Sequence, residues 1–310
     1  MTFKVIGVGE ALWDLLPTGP QLGGAPANFA CHARALGAQA AVVTRVGNDS
    51  FGRTILKRFE QLGITDGTVQ VDDEAPTGRV TVALSDDGVA HFTIHENVAW
   101  DRLAVTPEGL NAVREADAIC FGSLAQRSEP SRISIQKLVA TASADALRVF
   151  DINLRQNYFS LVTIEQSLRL ANVLKLNDSE LRILAERFIL TGSTRHQIEQ
   201  LTQRFGLKLV ALTRGAAGSL LYQENRWSDR TSIPVEVVDT VGAGDAFTAA
   251  LVLGLLQKRD LDEINTLAGE VARYVCSCAG ATPPLPKTIC DRFITRDSVL
   301  NTHTEKVPAA

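Results

Sequence analysis

Short apolar runs alternate with amphipathic stretches along most of this chain, and that alternation limits its fold more than any other feature. Residues 4–8 read as a buried strand and 26–36 as a helix, with Pro26 in its first turn and Phe29, Ala33 and Leu36 on one face. Residues 41–46 form a second apolar run, and 51–62 place Phe51, Ile55, Phe59 and Leu62 on one helical face. The pattern resumes at 118–121, 131–144, 148–151, 164–170, 173–176, 179–188, 194–205 and 209–213. Strand-like runs separated by helical ones predict an α/β class in which helices cover a mostly parallel sheet. One region breaks the rhythm. Residues 78–84 and 89–95 are strand-like and joined by Ser85-Asp86-Asp87-Gly88, a strong hairpin signal. Such a hairpin either projects as a small sheet, with 14–22 as a pairing partner, or forms an antiparallel edge of the main sheet.

Composition narrows the partners. With 310 residues, 45% hydrophobic and 21% charged, the chain suffices for one large domain or two smaller ones. A net charge of −4 and no basic run argue against nucleic acid and anionic membranes as partners. Residues 1–8 read as a strand rather than a secretory leader, and no apolar stretch is long enough to span a bilayer. Cys31, Cys120, Cys276, Cys278 and Cys290 are scattered and odd in number, which predicts a reducing, cytoplasmic setting. Cys276 and Cys278 are expected to be small buried residues on a helix. The five histidines show no metal-ligand spacing. Residues 301–310 are polar and expected to be loose.

The chemistry concentrates in Asp239-Thr240-Val241-Gly242-Ala243-Gly244-Asp245-Ala246-Phe247-Thr248. Small residues let the backbone approach a ligand, and the first amides of a following helix are anion donors. An acid beside an anion site makes sense if Asp245 takes a proton from a hydroxyl while the amides hold the phosphoryl group that the hydroxyl attacks. That predicts a kinase acting on a small alcohol.

Other strand ends add to this. Gly7-Val8-Gly9 lacks the third glycine of a dinucleotide fingerprint, but the turn places Asp14 at a strand's carboxyl end. Gly23-Gly24-Ala25-Pro26-Ala27-Asn28 reads with Asp14 as a polyol-binding set, or as a tight turn and helix start. Asp49 and Ser50 read as capping groups. Asp151, Asn153 and Arg155 alternate and point one way if their strand continues, with Arg155 suited to a phosphate oxygen. Asn177 and Glu180 are hard oxygen donors fit for Mg²⁺, or the cap and first-turn acid of a helix. Thr213-Arg214-Gly215-Ala216-Ala217-Gly218 can line a nucleotide phosphate, or be an ordinary hairpin turn.

These motifs resemble the ribokinase-like, PfkB-type carbohydrate kinases over nearly the whole chain, from Gly9 to about Pro286. Gly23–Asn28 with Val46-Gly47-Asn48-Asp49-Ser50-Phe51-Gly52 is similar to the family's N-terminal signature. The 239–247 segment is similar to its C-terminal one. Gly9-Glu10-Ala11-Leu12-Trp13-Asp14 and Gly280-Ala281-Thr282-Pro283-Pro284-Leu285-Pro286 look most like the fructokinase branch. The resemblance implies a three-layer α/β/α sandwich, a single domain over 1–310, and a small β lid inserted from about 12–22 and 76–100. It implies ATP and Mg²⁺, with Asp245 as base and Gly242, Ala243, Gly244 and Asp245 amides as the anion hole. Asp14, Gly23, Gly24, Asn28, Asn153 and Arg155 would hold the sugar and transferred group. Asn177 and Glu180 would organise Mg²⁺ through water. Asn177, Thr213, Arg214, Gly215 and Gly218 would line ATP. Asp239, Val241 and Gly280 match a monovalent cation site used by some relatives, K⁺ being the expected ion, and the lid would mediate a homodimer. Fructose is the leading substrate. A 2-keto-3-deoxygluconate kinase would neutralise its substrate carboxylate, usually with lid Arg or Tyr residues, and this lid has only Arg79 and Arg102 nearby. A nucleoside kinase would use Trp13 and Trp100 as a base cradle. A non-catalytic sugar sensor would be expected to lack Gly242, Gly244 or Asp245.

Overall fold

Nine strands make the central sheet of the computed structural model, which describes residues 2–16, 19–64, 67–84 and 90–294. The expected turn at 85–88 and the polar tail at 301–310 lie outside the described residues. The N-terminal half runs β1 (Lys4–Val8), β2 (Leu12–Leu16), β3 (Gly19–Gly23), α1 (Ala25–Ala35), β4 (Gln39–Gly47), α2 (Ser50–Leu62), β5 (Val69–Asp72), β6 (Gly78–Leu84), β7 (Ala90–Ile94), α3 (Pro107–Arg114), β8 (Ala118–Phe121), α4 (Glu129–Ala140) and β9 (Leu147–Asp151). There follow α5 (Leu161–Leu170), β10 (Val173–Asn177), α6 (Asp178–Phe188), α7 (Thr194–Phe205), β11 (Leu209–Thr213), β12 (Ser219–Gln223), β13 (Arg226–Arg230), α8 (Ala243–Leu256) and α9 (Leu261–Cys276).

The sheet order is β13-β12-β11-β10-β9-β8-β1-β4-β5, parallel throughout except at the β12 and β13 edge. Alternate side chains of one strand enter different cores. Val5, Val42 and Val46 pack with α1, α2, α8 and α9, while Ile6, Val8, Ala41 and Val43 pack under α3 to α7. Both faces are covered, which is why these strands read as continuous apolar runs. The architecture is the ribokinase-like α/β/α sandwich. Helix α8 is apolar on all sides, with every residue from 245 to 254 buried. That pattern belongs to a helix enclosed by others, here α1 and α9.

A second, four-stranded sheet has the order β3-β2-β6-β7. The β6–β7 pair therefore stands apart from the main sheet instead of extending its edge. Its partner β2 follows directly from Gly7-Val8-Gly9, where a dinucleotide fold would have a helix.

Several expectations change. Strand β9 ends at Asp151, and Asn153 turns into the left-handed region with φ 46°. The alternation of Asp151, Asn153 and Arg155 is thus not that of a continuing strand. Cys276 is the last residue of α9, Cys278 lies beyond it, and both are only half-buried. Strand β5 and helix α3 had no clear reading in the sequence. Helix α4 spans 129–140 rather than 131–144.

Candidate active site

The carboxyl ends of the central strands meet the starts of α1 and α8. Gly242 caps α8 with φ 78° and supplies no side-chain cap. A Cβ there would lie 2.1 Å from the carbonyl oxygen of Ala281, so only glycine fits both the turn and the approach. The first-turn amides of α8 have no intrahelical acceptor. That of Ala243 leans back on Thr240 O at 3.4 Å, a long bond.

Asp245 sits in this first turn, 9% exposed, and Asn28 of α1 donates its amide to Oδ2 at 2.8 Å. Burial and then the charge of Asp151 push the Asp245 carboxyl up to about 7, against the Asn28 hydrogen bond, Lys175 and Arg155. Beneath it lies a buried network: Lys175 Nζ to Asp151 Oδ1 at 2.9 Å, and Thr248 Oγ1 to Asp151 Oδ2 at 2.8 Å. Burial opposes the charge on Lys175, but Asp151 and Glu180 hold it above its ordinary value. None of Lys175, Thr248 or Glu10 had been singled out as a site residue. A lone lysine inside the apolar run Val173-Leu174-Lys175-Leu176 was the available signal.

Asp14 lies on β2 opposite Gln21 of β3. Burial raises its carboxyl to about 6, opposed by Arg155 and aided by Asp239. Gly23 packs against Asp14 Oδ2, and Gly24, with φ 103°, packs on the carbonyl of Glu10. Arg155 donates to Leu154 O at 3.2 Å, its one hydrogen bond among the described residues, and its charge acts on Glu10, Asp14 and Asp245 together. The fold therefore brings Asp14, Gly24, Asn28, Arg155 and Asp245 around one space. The Asn153 carbonyl accepts from Ser123 Oγ at 3.4 Å.

The other candidates divide. Asn177 and Glu180 form a complete capping box: Asn177 Oδ1 accepts Glu180 N at 2.9 Å and Glu180 Oε2 accepts Asn177 N at 2.8 Å. Glu180 Oε1 also accepts Leu154 N at 2.9 Å, and burial raises its carboxyl. Asn177 Oδ1 also accepts the Ser179 hydroxyl at 2.6 Å and both Glu180 oxygens are engaged, so this pair fits direct coordination of Mg²⁺ poorly and would meet the ion only through its water shell. Among the described residues no cluster of three His, Cys, Asp or Glu side chains is grouped for a metal. Asp239 receives Val241 N at 3.0 Å and Gly280 N at 3.1 Å, so these three residues do come together. Gly215 and Gly218 shape the turn between antiparallel β11 and β12. Thr213 Oγ1 bonds Leu176 O, and the Arg214 guanidinium is held by Asp229 at 2.6 Å. Asp49 caps α2 as expected and also binds Thr77 N at 2.8 Å. Trp100 is fully buried with Arg127 stacked 3.9 Å from its ring, so it offers no surface to a nucleobase.

This geometry sits in a chain with clear relatives. Residues 19–288 match the pfkB family carbohydrate kinases. A fructokinase of Salmonella typhimurium is 31% identical over 303 residues, covering 92% of this chain and 97% of the relative. The crystal structure of a Vibrio cholerae fructokinase with fructose, ADP and calcium bound is 26% identical with a TM-score of 0.79, covering 95% of this chain and 99% of that one. A Xylella fastidiosa fructokinase with bound ATP shares the fold, at 22% identity and a TM-score of 0.80, over 96% and 100% of the two chains. The chain belongs to the pfkB family of carbohydrate kinases and is a sugar kinase.

Proposed function

We propose that this sugar kinase transfers the γ-phosphoryl group of ATP to a hydroxyl of fructose, with Asp245 as general base. The observation that carries this reading is the Asn28–Asp245 hydrogen bond at an uncapped helix start. It sets a buried carboxylate beside free amides and between the two halves of the site. Asp14, Gly23, Gly24, Asn28 and Asn153 hold the sugar. The hydroxyl oxygen attacks phosphorus as Asp245 takes its proton, the new O–P bond forms, and the bond to the bridging oxygen breaks to release ADP. The amides of Gly242, Ala243, Gly244 and Asp245, with Arg155, offset charge on the transferring group, each well-placed donor contributing about 3–4 kcal/mol.

Thr213, Arg214, Gly215 and Gly218 line the ATP phosphates and ribose. Gly218 packs on Arg230 and Ser232, where an extended segment begins that leaves Ile233, Val237 and Val238 about 60% exposed. That apolar surface suits a nucleobase. Asn177 and Glu180 hold Mg²⁺ through water, and the ion when bound neutralises phosphate charge. Asp239, Val241 and Gly280 form the candidate K⁺ site. The second sheet, with the flanking segments 12–22 and 76–100, acts as a lid that excludes water. Phe92 on it is 53% exposed and is the proposed lid contact of a homodimer. A cytoplasmic setting agrees with five free cysteines.

Acid partners hold Arg102 and Arg127 near the lid, which favours a neutral sugar. Arg79 lies over the Phe51 ring, Arg102 pairs with Glu74, and Arg127 pairs with Asp101. Relatives named fructokinases support the same choice. The test is ADP release across fructose, ribose, 2-keto-3-deoxygluconate, tagatose 6-phosphate and adenosine. Fructose should give the highest kcat/KM. Preference for the keto acid would replace fructose, and silence with every acceptor would favour a non-catalytic binder.

A further inference from the structure

Glu10, between β1 and β2, is 2% exposed and has no role in the mechanism above. Its Oε1 accepts Ala25 N at 3.2 Å, while Oε2 is enclosed without a hydrogen-bond partner. Among the described residues it has no ion-pair partner. Gly24 covers its backbone carbonyl, so the first turn of α1 rests on Glu10 through both main chain and side chain. That turn leads directly to Asn28, the partner of Asp245.

A carboxylate enclosed without a counterion takes up a proton instead of staying charged. The charged and titratable groups that face it are Asp245 of α8, Arg155 after β9 and Cys120 of β8. Burial raises the Glu10 carboxyl to about 7, with Asp245 adding to the rise and Arg155 opposing it. A second negative charge here would face the same space that an anionic phosphoryl group must enter.

We infer that Glu10 is a positioning residue that works as a neutral acid: its carbonyl oxygen holds the start of α1, and with it Asn28, against Asp245, and loss of its proton shuts the site to the phosphoryl group. Activity then rises as Asp245 ionises and falls as Glu10 ionises, the two carboxyls titrating as a coupled pair.

The kinetic test rests on the sugar-kinase reading and uses whichever sugar the wild type phosphorylates. Profiles of kcat/KM against pH are compared for wild type, Glu10→Gln and Glu10→Ala. Glutamine mimics the protonated acid, so it should keep the rising limb, lose the alkaline fall, and stay within about threefold of wild type at the optimum. Alanine leaves the Ala25 amide without its acceptor and should lose about tenfold or more at every pH. An unchanged alkaline limb in Glu10→Gln, or a loss as deep as that of alanine, overturns the assignment. A second arm needs no turnover. Glu10 carries a folded pKa of about 7 against 4.5 unfolded, so wild-type stability declines as pH rises across that interval, and Glu10→Gln should lack this component. A Tm difference between the two that does not change with pH sinks the inference even if no sugar is turned over. If Glu10→Ala fails to fold, wild type against Glu10→Gln still decides.

Discussion

Two helix starts at the same edge of the sheet have opposite finishes. Helix α6 opens on Asn177 and Glu180, whose side chains satisfy each other's backbone amides and a third from Leu154. Helix α8 opens on Gly242 with no cap, beside a carboxylate that burial holds near neutrality. A missing cap costs a helix about 0.5–2 kcal/mol, and a buried acid costs more. The closed junction is a complete structural device, and a hydrated Mg²⁺ beside it remains our proposal. The open one has no side-chain cap, and the proposed mechanism gives it the transferred phosphoryl group as partner.

The contrast can be broken most severely at Asp245. Asp245→Asn should lower kcat by about 10²–10⁴-fold. The same change should stabilise the protein at pH 8. The folded pKa near 7 lies above the ordinary 3.8, so wild-type stability falls as pH rises between those values, and asparagine escapes that loss. Thermal melts at pH 5 and 8 check the sign, and a variant equally active or less stable at pH 8 would refute this role. Gly242→Ala comes next: strain at positive φ and the clash with Ala281 should cost about 1–3 kcal/mol and about 10²-fold in kcat. At the closed junction the order of effects reverses. Asn177→Ala should cost about 1 kcal/mol of stability, and activity should recover at higher Mg²⁺. A kcat loss there comparable to Gly242→Ala would mean that the two starts do the same work. The smallest effect is expected from Phe92→Ser, within about 0.5 kcal/mol in stability. Sedimentation velocity should show a weaker dimer. Ile94 is 6% exposed, so changing it as well would confuse folding with assembly.

Much of the sandwich was legible because strands buried on both faces and helices with one apolar face leave different periodicities. Asp49 was readable as a cap from its place before α2. The end of β9 was not, because the alternation of Asp151, Asn153 and Arg155 reads as a continuing strand, whereas Asn153 takes a left-handed conformation. The short strand β5 and helix α3 were missed for want of a long pattern. The Lys175–Asp151–Thr248 network joins residues 97 positions apart, and only tertiary structure shows that the lysine's partner is the acid at the end of the neighbouring strand. Asn177 and Glu180 were found correctly as a pair, but sequence could not tell a capping box from an ion's ligands, since both use the same oxygens. Trp100 was misjudged as a possible cradle because burial, not residue type, decides what an indole can meet.

The three tryptophans give the molecule an optical readout of its own. Trp13 belongs to β2 of the second sheet and donates to Phe51 O at 3.1 Å across the boundary to α2. Trp227 packs tilted on Tyr222, ring centroids 4.3 Å apart, in the far antiparallel edge, and Trp100 is sealed under Arg127. If the second sheet moves as proposed, the indole environments of Trp13 and of Trp100, which packs against Gly78 of β6, should both change. With Trp227 replaced by phenylalanine, intrinsic fluorescence would then test the proposed lid closure without a label.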